Sequence, residues 1–251
     1  MNVIVTVKDD FDLDKIYDSG QVFTWKKFDS QDYKILDGGC SIRVSKKSDT
    51  AVQFEYFNSY WKNYFDLDTN YEEIRYLVKE PYMKKITDFG KGIRILRQHP
   101  FQTVAAFIIS QQNNISRIRN TMHNLYALSP YINSFYKPHQ LLKLDLKQLK
   151  IGYREEYVKN ACEAFDEKII NLSNDELFQF LIGIKGIGPK VAHCIMLYAY
   201  HRLDSFPEDV WIKRFLNKFD YNKEIYKPLN GIFQQYIFYY IQKHKDLFKG
   251  E

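Results

Sequence analysis

The chain has 251 residues and a formal net charge of +5, long enough for a sizeable core and only mildly basic, which permits a nucleic-acid partner without demanding one. Three widely separated cysteines, Cys40, Cys162 and Cys194, form no CxxC pair, and the scattered histidines give no zinc-type spacing, which excludes a disulfide scaffold and a zinc module. The first ten residues lack a signal-peptide pattern and no window approaches the ~20 apolar residues of a membrane span, so a soluble, cytoplasmic protein with no membrane attachment is expected.

In chain order, residues 1 to about 57 read as β-rich. Met1–Val7 alternates, and Val22–Phe28, Tyr33–Leu36, Ser41–Val44 and Ala51–Tyr56 are short β-branched or aromatic runs divided by Asp-Ser, Asp-Gly-Gly and Lys-Lys-Ser-Asp breaks. An antiparallel sheet follows from that pattern. From Asn58 onward the apolar period is helical, so the expected class is α+β, an N-terminal sheet domain over residues 1–85 followed by a helical body over 86–251 whose last helices pack back on the N-terminal part. Tyr64–Asp68 is expected to be a helix-terminal turn, and Gly92–Gln98 a helix end leading into His99-Pro100. Phe101–Ser110 is an apolar helix that stops in four consecutive amides, Gln111 to Asn114. Such a run is either an ordinary polar turn or a group of donors and acceptors reserved for a partner, because amides enter a core only when hydrogen-bonded. Ile151–Tyr157 begins another helix.

The most informative stretch is Leu181–Phe215, which reads as helix, Gly-punctuated hairpin, helix, acidic turn, helix. Gly186 and Gly188 are both expected to be free to take φ > 0, and Pro189 suits a first helical position. Lys190 then lies on the first helical turn, where open N–H groups attract an anion such as a DNA phosphate and the same partial positive charge favours a neutral amine. A neutral lysine is a nucleophile able to form a Schiff base; it also reads simply as a phosphate contact. Asp209 stands just before an apolar run, as an N-cap, as a carboxylate facing the lysine, or as both.

Gly186-Ile187-Gly188-Pro189-Lys190 followed by Asp209 resembles the helix-hairpin-helix (HhH-GPD) DNA glycosylases, and further motifs place the resemblance with the 8-oxoguanine DNA glycosylase/AP lyases of the eukaryotic type. It extends in order from Gly20 to Phe238. The resemblance implies that Lys190 and Asp209 are catalytic and that Gly186 and Gly188 hold a phosphate. A monovalent or divalent cation at the hairpin backbone is implied with them, but no iron–sulfur cluster, no catalytic metal and no other cofactor. Ser19-Gly20-Gln21-Val22-Phe23-Thr24-Trp25 matches the stretch whose glycine carbonyl accepts a hydrogen bond from N7–H, the proton that distinguishes 8-oxoguanine from guanine. Cys194 and Phe238 are implied to sandwich the flipped base, with Gln234 on its Watson–Crick edge. In the amide turn, Arg117 matches an arginine that reads the opposite cytosine, while Gln112 stands where the family has an asparagine that fills the vacated stack. Tyr153 and Arg154 match a wedge and a second cytosine-reading arginine. Trp211 replaces a phosphate-contacting histidine, which puts that contact in doubt. The implied partner is double-stranded DNA containing 8-oxoguanine, bound by a monomer. A glycosylase for other damaged purines and a non-catalytic DNA-binding hairpin protein are the competing readings.

Overall fold

The computed structural model describes residues 2–248. Five strands, β1 (Val3–Thr6), β2 (Lys26–Asp29), β3 (Asp32–Asp37), β4 (Cys40–Ser48) and β5 (Ala51–Phe54), form one antiparallel sheet in the order β1-β5-β4-β3-β2. Its register sets Val44 opposite Phe54 and Ile35 opposite Ile42, so the buried side chains fall on one face, as a period of two requires. That face, with Trp25, Trp61, Phe65 and Leu96, makes the first core. The α+β class follows from this sheet and the helices after it.

Two expectations for the first 57 residues are corrected. Val22–Trp25 is not a strand; the strand begins only at Lys26. Phe23 and Trp25 enter different cores, which a loop can do and the single face of an alternating strand cannot. A short helix, α1 (Leu13–Asp18), also precedes them, with Asp12 accepting from the Lys15 N–H as its cap.

The helical body comprises α2 (Ser59–Tyr64), α3 (Tyr71–Tyr76), α4 (Pro81–Phe89), α5 (Pro100–Ser110), α6 (Ile115–Leu128), α7 (Pro138–Leu141), α8 (Arg154–Ala164), α9 (Asn174–Gly183), α10 (Pro189–Tyr198), α11 (Val210–Lys218) and α12 (Asn230–Lys243). Its core is built around α5, α10 and α12, whose apolar residues, Phe107, Ile195 and Ile237 among them, are almost wholly buried. Among the described residues no helix is long and apolar enough to cross a membrane.

Gly92–Gln98 is a further correction: Gly92 lies in a turn and Ile93–Gln98 forms no regular element, so the run is not helical. Its backbone is spoken for by tertiary bonds, since Leu96 N–H donates to Gln21 and Arg97 N–H to the Tyr64 carbonyl. Arg94, fully buried, donates to the Asp66 and Thr69 carbonyls and pairs with the equally buried Asp9, whose carboxylate also accepts from the Glu72 N–H at the start of α3. Removing one member of such a pair strands the other charge. Arg94→Met is therefore expected to destabilise the fold by about 3–5 kcal/mol, read as a lower urea midpoint at unchanged slope.

Candidate active site

The hairpin comes first because it is the most local. α9 ends at Gly183 and α10 begins at Pro189. Between them Gly186 has φ +104, and a Cβ there would overlap the Tyr157 ring at 2.2 Å, so glycine is required on two counts. Gly188 departs from expectation. Its φ is −88, in extended backbone, and nothing lies within 4 Å of where its Cβ would be. The fold itself does not need a glycine at that position, and the backbone there is open to approach. Gly188 caps α10 without a side-chain hydrogen bond, so the first-turn N–H groups stay open to an anion.

Lys190 and Cys194, one turn apart on α10, open into one small cavity together with Asp209, Gly20, Gln234 and Phe238. The structure thus brings together both expected catalytic residues and all four expected pocket residues, from four separate parts of the chain. Lys190 Nζ lies 5.8 Å from the centroid of the Phe107 ring. Burial pushes the Cys194 thiol up, against the opposing effect of the Lys190 amine beside it. Asp209 is the N-cap of α11: one carboxylate oxygen accepts from both the Trp211 and the Ile212 N–H groups at 2.9 Å. Capping by Oδ1 alone leaves Oδ2 outside the cap.

Gln234 on α12 is almost fully buried. Its Nε2 donates to the Pro207 carbonyl at 2.9 Å, while its Oε1 has no partner among the described residues. A buried acceptor left open costs about 1–3 kcal/mol, which a ligand donor would recover. Gly20 has φ +80, and a Cβ built on it would lie 3.1 Å from the Phe238 ring. Gly20→Ala is expected to lower base release by about 10- to 100-fold in single-turnover assays, since a displacement of about 1 Å in a site costs that order of rate.

The second group lies around the amide turn. Asn114 caps α6 by accepting the Arg117 N–H, and Asn113 donates to the Ile109 carbonyl. Gln111 donates to the Gly186 carbonyl at 2.9 Å, tying this turn to the hairpin. Gln112 is left exposed with φ +47. Arg154 is buried: its guanidinium donates to the Gln111, Gln112 and Ile151 carbonyls and sits 4.5 Å from the centroid of the Tyr153 ring. Arg117 donates to the Lys150 carbonyl at 2.8 Å. Arg154 thus holds the turn that carries Gln112, while Tyr153 and Arg117 remain exposed. Trp211 lies outside the cavity, with the Arg214 guanidinium 4.9 Å from its ring centroid.

Residues 3–104 match the family described as 8-oxoguanine DNA glycosylase, N-terminal domain. Among solved structures, MBOgg1 in complex with a low-affinity DNA ligand is 32% identical, with a TM-score of 0.88 and coverage of 97% of this chain and 96% of that one. The chain belongs to the 8-oxoguanine DNA glycosylase/lyase family. The Clostridium acetobutylicum 8-oxoguanine glycosylase/lyase, solved with double-stranded DNA containing cytosine opposite 8-oxoguanine, is 29% identical, with a TM-score of 0.86 over 97% of this glycosylase and 98% of that chain. A probable N-glycosylase/DNA lyase of Methanothermobacter thermautotrophicus is 24% identical over 256 residues, 83% of the glycosylase and 82% of its relative.

Sequence reasoning missed several residues of the site. Phe107, Tyr198 and Pro207 line the cavity, yet Phe107 and Tyr198 read as core aromatics in a chain with 19 Phe and 20 Tyr. Gln111, read only as one amide of four, gave no sign of its bond to the hairpin.

Proposed function

We propose that Lys190 and Asp209 carry out the chemistry of this bifunctional 8-oxoguanine glycosylase/AP lyase, acting as a monomer on duplex DNA, and that the enzyme prefers cytosine opposite the lesion. The observation that carries this reading is Gln234: its amide is fixed by Pro207, its Oε1 has no partner among the described residues, and it lines the same cavity as Lys190. That acceptor suits the N1–H and 2-amino donors of a flipped oxidised guanine, while the Gly20 carbonyl suits N7–H. Free space in the cavity is about 30 Å³, room for ordered water and not for a purine. Phe238, which rests against Gly20, therefore has to swing aside and stack on the incoming base.

The Lys190 amine bonds to C1′ as the bond from C1′ to N9 breaks, and the departing base carries off the electron pair and takes a proton. The positive charge that develops on the sugar lies near the Asp209 carboxylate. Opening of the sugar ring, with O4′ taking a proton from the amine, gives the Schiff base; the C2′ proton then passes to water as the bond from C3′ to oxygen breaks with its electron pair on the leaving phosphate, nicking the strand 3′ to the lesion, and water hydrolyses the Schiff base to free Lys190. No step draws on a redox cofactor. A cation at the hairpin would be held by backbone carbonyls, hard oxygen donors suited to it, and would supply charge neutralisation for a phosphate.

The cytosine preference rests on Arg117, since cytosine offers N3 and O2 as acceptors to a guanidinium; Arg154, expected as a second reader, instead commits its donors to the Gln111, Gln112 and Ile151 carbonyls and holds the turn. Excision from duplexes with 8-oxoguanine opposite each of the four bases tests it. We expect cytosine to lead by about 10- to 100-fold, the value of a good arginine–base contact, and Arg117→Ala to level the four rates. Equal rates in the unaltered enzyme would refute the preference.

A further inference from the structure

The turn that carries Gly20 is held by three buried glutamines from different parts of the chain. Gln21, within the turn, donates to Ser19 Oγ at 3.0 Å and to the Arg94 carbonyl at 2.9 Å, and it accepts from the Leu96 N–H at 3.0 Å. Gln235, on α12 next to the pocket residue Gln234, is fully buried and donates to the Ser19 carbonyl at 2.6 Å. Gln98, at the end of the irregular segment before α5, donates to the Gln21 carbonyl at 2.8 Å. The carbonyls on either side of Gly20 are therefore both occupied. Among the described residues no hydrogen bond ends on the Gly20 carbonyl between them.

Tyr198 connects the two outer holds. Its hydroxyl donates to Gln235 Oε1, which orients that amide with its nitrogen toward Ser19, and its own carbonyl accepts the Gln98 N–H at 3.1 Å. The Tyr198 ring stacks on Phe107 at 5.3 Å, in the wall of the same cavity.

We infer that Gln98 and Gln235, with Tyr198 orienting the latter, are positioning residues that aim the Gly20 carbonyl into the cavity and so set the discrimination of 8-oxoguanine from guanine. This rests on the reading of that carbonyl as the acceptor for N7–H. The two bases differ at this edge by one proton, so the acceptor recognises the lesion only if it is held in place. A glycine with φ +80 has no side chain to fix it, and the holding falls to its neighbours. Two buried amides that saturate the flanking carbonyls leave the turn one way to lie, with the middle carbonyl reserved for the ligand.

The test compares two partial reactions in single turnover: release of 8-oxoguanine opposite cytosine, and cleavage at a preformed abasic site in the same duplex. An abasic site has no base, so its cleavage by Lys190 does not use the Gly20 carbonyl. Gln98→Met and Gln235→Met keep side-chain volume while removing the donors. Each is expected to slow base release by about 10- to 100-fold and to leave abasic cleavage within about twofold. Tyr198→Phe keeps the ring and its stacking and removes only the hydroxyl, so it carries the test if the methionine variants fail to fold; a fall of about fivefold in the ratio of base release to abasic cleavage is expected, one hydrogen bond's worth. Equal losses in both reactions would overturn the inference by showing a purely structural role, and so would undiminished base release. An unaltered enzyme that released guanine as fast as 8-oxoguanine would instead overturn the reading of Gly20 on which the inference stands.

Discussion

Lys190→Gln is expected to abolish strand cleavage at 8-oxoguanine, lowering it by at least about 10⁴-fold, while the duplex containing the lesion still binds. Loss of a nucleophile costs a rate of that order because the covalent step has no substitute. Glutamine retains most of the side-chain length and can still donate to a neighbour, so the cavity wall beside Cys194 and Phe107 is kept. The open N–H groups of the hairpin and of the first turn of α10 are backbone, and Gly188, with nothing within 4 Å of its Cβ position, is untouched. Binding therefore has its own determinants. The check is a denaturing gel for cleavage beside a gel shift for binding. Loss of both would make Lys190 chiefly a phosphate contact, and cleavage at full rate would remove it from the chemistry.

Asp209→Asn is expected to lower base release by about 10²- to 10³-fold with little change in stability. In the proposed mechanism Asp209 has two functions in one side chain. One oxygen caps α11 through the Trp211 and Ile212 N–H groups, a contact worth about 1 kcal/mol that asparagine reproduces almost fully. The negative charge beside the reacting sugar is what asparagine lacks, and removing a preorganised electrostatic partner costs rates of that size. Asp209→Ala would confound the two losses. Measured by single-turnover release and thermal melting together, the asparagine variant separates them: a near-normal melting temperature with a slow chemical step is the expected pair. A fall in melting temperature with an unchanged rate would reduce Asp209 to a cap.

The parts of this enzyme legible in its sequence are those whose physics is local. A glycine hairpin, a proline at the first helical position, a lysine directly after it and an aspartate ahead of an apolar run are all set by neighbours within a turn or two, and α9, α10 and α11 fall where that spacing puts them. The sheet was legible as alternation, except at Val22–Trp25, where a turn sends Phe23 and Trp25 into separate cores. The positive φ expected at Gly188 is absent, its φ being −88; what the position has instead is bare backbone, with nothing within 4 Å of its Cβ site.

What stayed hidden depends on contacts far apart in the chain. Gln235 reaches Ser19 across 216 positions and Gln98 reaches Gln21 across 77, and a glutamine on a helix gives no sign of such a partner. Arg94, within a run read as a helix end, gave no sign of a buried ion pair; its partner Asp9 lies 85 residues away. Arg154 shows the same limit at the site itself. Its place beside Tyr153 was visible, but its hold on the Gln111 and Gln112 carbonyls exists only once α5 and α8 pack together.

The measurement that bears most directly on the account is borohydride reduction of the unaltered enzyme mixed with a duplex carrying a single 8-oxoguanine opposite cytosine. Attack by the Lys190 amine on C1′ predicts a covalent protein–DNA band that forms as the base is released and that maps to Lys190 by peptide mass. Release of free 8-oxoguanine with no covalent band would contradict it, because the base would then have left by water alone.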